Sequence, residues 1–287
     1  MKITGDIIDS SISENEASTR EYYDGPADAI YRHVWGGENI HIGIYDRTDD
    51  LYTASDEANR YLGKLLTPRQ EWVGIDLGCG YGGLCRYLVQ EYGCRMVGLN
   101  ISAREIAVAE ERNRERNRER NLTSRIEIRR GSFNAPPVGD RAFDFVTSQD
   151  AFLHAPDKPM VMQEIARILK PGGRLAFSDI LLAESGVDDR TRQSIFQRLH
   201  LTDMGTFTGY REAMEDAGFV VTEIENRTAD LHTHYMQLRD EIQRMKPKLK
   251  EHIPEKAISD AYEGIETWLR YSARGFIEWG YFTATKP

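Results

Sequence analysis

From Trp72 the chain reads Trp72-Val73-Gly74-Ile75-Asp76-Leu77-Gly78-Cys79-Gly80-Tyr81-Gly82-Gly83, an apolar run that ends in a cluster of glycines. Two chemistries use such a turn. Gly78-x-Gly80-x-x-Gly83 satisfies the dinucleotide fingerprint, in which a helix N-terminus receives a pyrophosphate. Asp76-x-Gly78-x-Gly80-x-Gly82 instead places a carboxylate at the end of the run, where it does nothing for an anion. A cationic ligand reverses the preference. S-adenosylmethionine carries a sulfonium and an ammonium and no phosphate, so Asp76 can hold its methionine end directly or through water. The glycines let the backbone approach the ligand without a Cβ in the way.

More polar residues follow the later apolar runs. An acidic residue about 20 positions after a glycine turn usually grips ribose hydroxyls. Asn100 stands there, followed by Ile101; its amide can donate and accept but forgoes the charge-assisted bond. Gly131-Ser132-Phe133 offers a small polar residue and an aromatic to bond and flank an adenine, and Ser148-Gln149-Asp150-Ala151-Phe152-Leu153-His154 is a polar cluster facing the expected site of chemistry. His232-x-His234 has ligand-type residues but no third ligand at convincing spacing, so no metal is expected.

These residues need strand tips to converge on, and the sequence supplies them. Apolar runs at 72–77, 95–99, 125–129, 143–148, 174–181 and 219–225 alternate with helical periodicity at 55–66, 84–89, 103–121, 158–169 and 207–217, and a last strand-like run covers 277–285. The spacing predicts an α/β fold: a doubly wound, mostly parallel seven-stranded sheet covered on both faces. Ser55-Asp56-Glu57 has the order of a helix start, Lys170-Pro171-Gly172-Gly173 reads as a turn, and Thr208 is the expected N-cap of its helix. A further helix is expected at 188–203, and helical text at 228–275, broken near Pro247 and Pro254, reads as an inserted hairpin serving as substrate cover or dimer contact. Residues 1–20 are polar and acidic and are expected to form a disordered arm. Residues 21–52, dense in aromatics and glycines, are expected to pack over something, and 53–227 with 276–287 make the main domain.

Composition narrows the function classes. The 287 residues carry 37 Lys+Arg against 46 Asp+Glu, a formal charge of −9, which weighs against a phosphate-tracking nucleic-acid binder. No stretch is apolar enough for a membrane span and the N-terminus lacks a signal peptide's pattern, so a cytoplasmic location is expected. Cys79, Cys85 and Cys94 are odd in number without C-x-x-C spacing, and read as reduced and packed. The period-four repeat from Arg112 to Asn121 reads as a solvated outer helix face, with Glu111 beside Arg114 and Glu115 beside Arg118.

Taken in order, residues 73–83, 97–102, 131–133, 148–154 and 164–173 resemble a class I S-adenosylmethionine-dependent methyltransferase. Within that superfamily the chain is most similar to the sarcosine/dimethylglycine N-methyltransferases, which make glycine betaine. Tyr22-Tyr23-Asp24, residues 35–45, residues 199–205 and Trp279-Gly280-Tyr281-Phe282 extend the likeness over nearly the whole chain from Glu21. The resemblance implies S-adenosyl-L-methionine as cofactor, bound by Asp76, Gly78, Cys79, Gly80, Asn100, Ile101, Ser132, Phe133 and Gln149, with Tyr23 and Tyr45 from an N-terminal lid. It implies a small-molecule acceptor near His200 and Met204. For an amine acceptor, Asp150 and His154 are the expected proton acceptors, Tyr23, Trp35 and Tyr45 can surround a methylated ammonium, and Arg211 or Arg274 can pair with an acid group. Two rival readings stay open: a methyltransferase acting on carbon or oxygen of a natural product or lipid, and an NAD(P)-dependent oxidoreductase or non-catalytic cofactor-binding protein.

Overall fold

The computed structural model describes residues 14–25, 27–35, 38–120, 124–198 and 201–287. Seven strands form one sheet: β1 (Val73–Leu77), β2 (Arg95–Asn100), β3 (Ile126–Arg130), β4 (Phe143–Gln149), β5 (Leu169–Leu182), β6 (Val220–Asn226) and β7 (Ile277–Thr285), in the order β3-β2-β1-β4-β5-β7-β6. Neighbours run parallel except β7, which is antiparallel to both β5 and β6. The cause is the even number of helices before it. After β6 the chain leaves along α9 (Thr228–Leu249) and returns along α10 (Glu255–Ala273), so it re-enters the sheet at the end it left. The sheet is therefore mixed, with one reversed strand.

Four helices precede or follow the first strands: α3 (Leu51–Leu66), α4 (Gly83–Tyr92), α5 (Ala103–Arg120) and α6 (Lys158–Ile168); α7 (Asp189–Arg198) and α8 (Phe207–Asp216) come later. Leu62 and Leu66 of α3, Leu84 and Leu88 of α4, and Leu231 and Leu238 of α9 share one apolar cluster. Val161 and Ile165 of α6 join Tyr210 and Met214 of α8 in the other. There the Phe177 and Phe282 rings stack with centroids 4.7 Å apart. The three cysteines are free and buried. No helix among the described residues is long and apolar enough to cross a membrane.

Several local expectations are corrected. Helix α3 starts four residues before Ser55, because Asp50 caps it by accepting from the Thr53 amide (2.8 Å) and Leu51 is already buried. The N-cap of α8 is Thr206, whose hydroxyl accepts from Gly209 N (2.9 Å); Thr208 lies inside the helix. Residues 170–173 lie within β5, where pairing jumps from Phe143–Leu169 to Phe145–Arg174 and Lys286 bonds both Gly172 and Gly173, so the turn is a bulge. Pro247 lies inside α9, and the hairpin breaks only before Pro254. Helix α7 ends at Arg198, short of residue 203.

The N-terminal segment is ordered earlier than expected. Helix α1 (Glu14–Asp24) occupies part of the expected disordered arm, residues 1–13 lie outside the described residues, and α2 (Ala27–His33) follows. Residues 38–50 then form an extended strap over the strand tips. The arginine repeat is not merely solvated. Glu38 of the strap is gripped by Arg86 (2.8 Å), Arg112 (3.0 Å) and Arg116 (3.0 Å), and Arg86, 1% exposed, also bonds Asn113 (3.0 Å). Arg114 pairs with Glu110 rather than Glu111; the Arg118 side chain is not among those described.

Candidate functional site

The glycine turn after β1 is tied to β2 by two amides, Gly78 N and Cys79 N, which both donate to Leu99 O (2.9 and 3.0 Å). Gly78 has φ +84, and a Cβ there would lie 2.4 Å from the Ala151 Cβ, so the turn and the tip of β4 approach as closely as a missing side chain allows. Under α1 and the strap this turn forms the floor of a cavity with two lobes. The larger, about 670 Å³ with its mouth, is walled by Ile101, Phe133 and Ser132 on one side and by Asp150 and His154 on the other. The smaller, about 310 Å³, holds Asp76, Cys79, Asn39 and His41. Ile40, Gly78, Gly80 and Gln149 belong to both.

Two buried carboxylates define the electrostatics. Asp76, 3% exposed, accepts only a long contact from the Cys85 thiol (3.7 Å), and its Oδ1 has no partner among the described residues. Burial pushes its pKa up to about 7. Glu105 is its counterpart in the larger lobe: Oε2 accepts from Asn100 Nδ2 (2.8 Å), Oε1 has no partner among the described residues, and burial raises the pKa to about 7. Asn100 is occupied elsewhere. Its amide also donates to Gly80 O (3.2 Å) and its carbonyl accepts from Ser102 N (3.1 Å), so the acidic group sought after β2 is supplied one helical turn later, by α5. Ser132 lines the same lobe, with its hydroxyl donating to Glu16 of α1 and accepting from Asn134 N (3.0 Å).

The two unpaired carboxylate oxygens, the glycine floor and the Phe133 and Ile101 walls fit S-adenosylmethionine. Its ammonium would answer Asp76, and its ribose hydroxyls would answer Glu105. A pyrophosphate beside two unpaired carboxylates would be repelled, which disfavours the dinucleotide reading.

Asp150 and His154 both face the larger lobe but are differently equipped. Asp150, at φ +52, accepts from Ile42 N of the strap (2.7 Å), Ser178 Oγ (2.7 Å) and Trp279 Nε1 (2.8 Å). Its lone pairs are largely committed to holding the strap and β7. His154 is held neutral, its pKa pulled to about 4 by burial and by nearby Lys158. The loop carrying both is tethered from below: Leu153 N donates to Asp179 (3.1 Å), Tyr210 caps the same carboxylate (2.6 Å), and Lys158 Nζ donates to Ala155 O (2.7 Å) and Asp203 O (2.9 Å).

Other expected residues sit elsewhere. Tyr45 turns toward α9, its amide on Asp230 (2.8 Å) and its hydroxyl on His234 Nδ1 (2.9 Å), and does not line the cavity. The Trp35 ring lies 6.0 Å from His234, between centroids. Met204 is packed in the core. Arg211 is exposed because α8 buries its opposite face, Tyr210, Ala213 and Met214. Arg274 is exposed at the end of α10, over the Phe276 ring (5.9 Å). Neither arginine lines the cavity. His200 lies outside the described residues, and Tyr23 lies in α1 with a side chain that is not among those described. Sequence reasoning missed Glu105, Glu16, Thr19 and the strap residues Asn39, Ile40 and His41. Of these, only Glu105, an acid one turn into the helix after β2, left a readable signal. No cluster of metal-ligand type occurs among the described residues.

Comparison with known proteins agrees with this geometry. The methyltransferase domain family matches residues 75–177. The sarcosine/dimethylglycine N-methyltransferase of Halorhodospira halochloris is 36% identical over 271 residues, spanning 92% of this chain and 94% of that protein. A crystal structure from Galdieria sulphuraria, provisionally assigned as a sarcosine dimethylglycine methyltransferase, superposes with a TM-score of 0.85 at 34% identity, over 92% of this chain and 98% of that one. A Haemonchus contortus phosphoethanolamine N-methyltransferase 2, in complex with phosphomonomethylethanolamine and S-adenosylhomocysteine, has a TM-score of 0.82 at 20% identity, over 96% of this chain and 61% of that one. That last likeness is one of fold alone.

Proposed function

The chain belongs to the sarcosine/dimethylglycine N-methyltransferase family of S-adenosylmethionine-dependent methyltransferases, and we propose that its acceptor is a small amino acid with a secondary or tertiary amine, sarcosine or dimethylglycine. One observation carries the acceptor class. Among the described residues lining the two lobes, the acidic side chains are Glu16, Glu38, Asp76, Glu105 and Asp150, of which Glu38 is matched by arginines, and no Lys or Arg lines either lobe. Such a site favours a sulfonium donor and an amine that leaves as a methylated ammonium, and opposes a phosphorylated or polyanionic acceptor.

S-adenosylmethionine supplies the chemistry when bound: its sulfur–methyl bond breaks as the acceptor nitrogen's lone pair forms the new carbon–nitrogen bond, leaving a thioether. The chain's own work is alignment and exclusion of water. Asp76 holds an ammonium, Glu105 accepts ribose hydroxyls while Asn100 steadies it, and Phe133 and Ile101 flank the base. Asp150, with three donors already on its carboxylate, anchors the strap and supplies negative charge beside the amine rather than taking its proton. His154, neutral near pH 7, offers a ring nitrogen to a substrate donor but is a weak base, so the amine enters deprotonated. Helix α1 and the strap act as the cover, and α9 holds the strap through His234 and Asp230. We place the chain in the cytoplasm, with a small acceptor as partner, no part for nucleic acid, and α9 and α10 as the contact of a homodimer.

An acceptor panel with methyl-labelled S-adenosylmethionine tests the reading: label is expected in sarcosine or dimethylglycine. Label confined to phosphoethanolamine, or to carbon and oxygen acceptors, would overturn it. Titration calorimetry should give heat with S-adenosylhomocysteine and none with NAD(P).

A further inference from the structure

Four consecutive amides of the strap donate to four different places. Ile42 N reaches Asp150 Oδ2 (2.7 Å), Gly43 N reaches His234 Nδ1 (3.1 Å), Ile44 N reaches Ala54 O (2.9 Å) and Tyr45 N reaches Asp230 Oδ1 (2.8 Å). The second bond fixes a tautomer. A backbone N–H can only donate, so Nδ1 of His234 presents its lone pair, and the Tyr45 hydroxyl also contacts it at 2.9 Å. His234 is fully buried, which holds the imidazole neutral with its pKa lowered to about 3. The single ring proton is therefore on Nε2. That N–H is buried and has no partner among the described residues, a state proteins rarely leave without use.

Its surroundings fit a zwitterion. The Trp35 and Tyr45 rings lie 6.0 and 5.9 Å from the imidazole, between centroids, and aromatic faces attract methylated ammonium groups. The residue bonded to His234 is the chain neighbour of Ile42, which is bonded to Asp150 in the cavity wall. A second buried donor, the Tyr281 hydroxyl, also has no partner among the described residues, and its ring meets Trp279, the indole donor to Asp150, with centroids 5.0 Å apart. Arg227, beside Asp230, is spent on Asp46, Glu225 and Asp230, and Arg211 and Arg274 are exposed elsewhere.

We propose that His234, through Nε2–H, binds the carboxylate of the amino-acid acceptor and so sets the preference for amines bearing an acid group. This rests on the proposed function in taking the acceptor to be an amino acid. The neutral donor orients the acid group and moves no proton.

The test compares wild type with His234→Phe and His234→Gln, using dimethylglycine and its carboxylate-free counterpart N,N-dimethylethylamine. His234→Phe is expected to raise the KM for dimethylglycine at least tenfold with kcat within about threefold. His234→Gln, which keeps a side-chain donor, is expected to recover most of that loss. The kcat/KM for the carboxylate-free amine and the Kd for S-adenosylhomocysteine should stay unchanged in both. An unshifted dimethylglycine KM, or equal losses for the two amines, overturns the inference. Should the phenylalanine variant not fold, His234→Leu takes its place as the donor-free variant: a KM rise of at least tenfold for dimethylglycine only supports the inference, and anything less overturns it. A wild-type chain that methylates no amine overturns the proposed function and this inference with it, whereas an active wild type with unshifted variants overturns this inference alone.

Discussion

The proposed donor side and acceptor side of this cavity are built by different means. On the donor side, Asp76, Gly78, Asn100, Glu105 and Ser132 stand at or just after the tips of β1, β2 and β3, each placed by its own strand. On the acceptor side the bonds are long-range: Ile42 to Asp150, Trp279 to Asp150 and Tyr45 to Asp230 span 108, 129 and 185 positions. The donor side keeps carboxylate oxygens unpaired for a ligand, while the acceptor side spends its carboxylates on the strap. A strand-tip motif can be assembled locally; a strap site exists only once the whole fold has closed.

The sharpest way to break this contrast is Asp76→Asn, which keeps volume and removes charge. A charge-assisted hydrogen bond contributes roughly 1.5–3 kcal/mol, so the affinity for S-adenosylhomocysteine should fall by about 10–150-fold in titration calorimetry. The unliganded variant should melt no lower than wild type, because an unpaired buried carboxylate has been neutralised. Unchanged affinity would remove Asp76 from the donor site.

The second prediction concerns the cover. Glu38→Ala leaves Arg86 buried without its carboxylate, and removing one partner of a buried pair costs roughly 3–5 kcal/mol. Glu38 is 28% exposed and Arg86 keeps Asn113, so the loss in a urea titration should lie at or below the low end of that range. It should shrink with added salt, because Arg112 and Arg116 are more open to solvent. A salt-independent loss would mean that Glu38 acts through packing.

The third prediction follows from burial. Asp76 and Glu105 are both pushed up to about 7, and an ammonium and ribose hydroxyls favour their ionised forms. Affinity for S-adenosylhomocysteine should therefore decline as pH falls below about 7, by up to tenfold per unit for each group, and Glu105→Gln should halve the slope. Stability of the unliganded chain has the opposite sign for these two. Their folded-state pKa lies above the unfolded value, so that contribution is full below the ordinary carboxylate range and is lost as pH rises through about 7. His154 and His234, lowered to about 4 and about 3, are buried neutral; their contribution is present above the unfolded value near 6.5 and is lost as pH falls toward the folded values. A bound complex whose affinity is flat between pH 6 and 8 would contradict the assigned carboxylates.

The same contrast explains what could be read from the sequence. The α/β alternation, the strand tips and the glycine turn were legible because each is a local pattern, and Asp76, Gly78, Gly80, Ile101, Ser132, Phe133 and Gln149 all line the cavity. Asn100 was legible as a position and misleading as a chemistry, since its amide serves Gly80 and Glu105. The arginine repeat could not be read, because the glutamate that orders it lies 74 positions away from Arg112. Tyr45 and His234 were visible as residue types, yet their pairing across 189 positions is set by where α9 packs on the strap.

The smallest effect is the one that separates reading by residue type from reading by place. Arg211 and Arg274 have the chemistry to bind an acid group, yet one lies on the outer face of α8 and the other caps α10, both exposed. Exposed charges away from a site contribute within about 0.5 kcal/mol. Arg211→Ala and Arg274→Ala should therefore leave the dimethylglycine KM within about twofold and the melting temperature nearly unmoved. A tenfold rise in KM for either would place an arginine where a neutral histidine is proposed, and the acceptor's acid group would then be held by charge rather than by an oriented N–H.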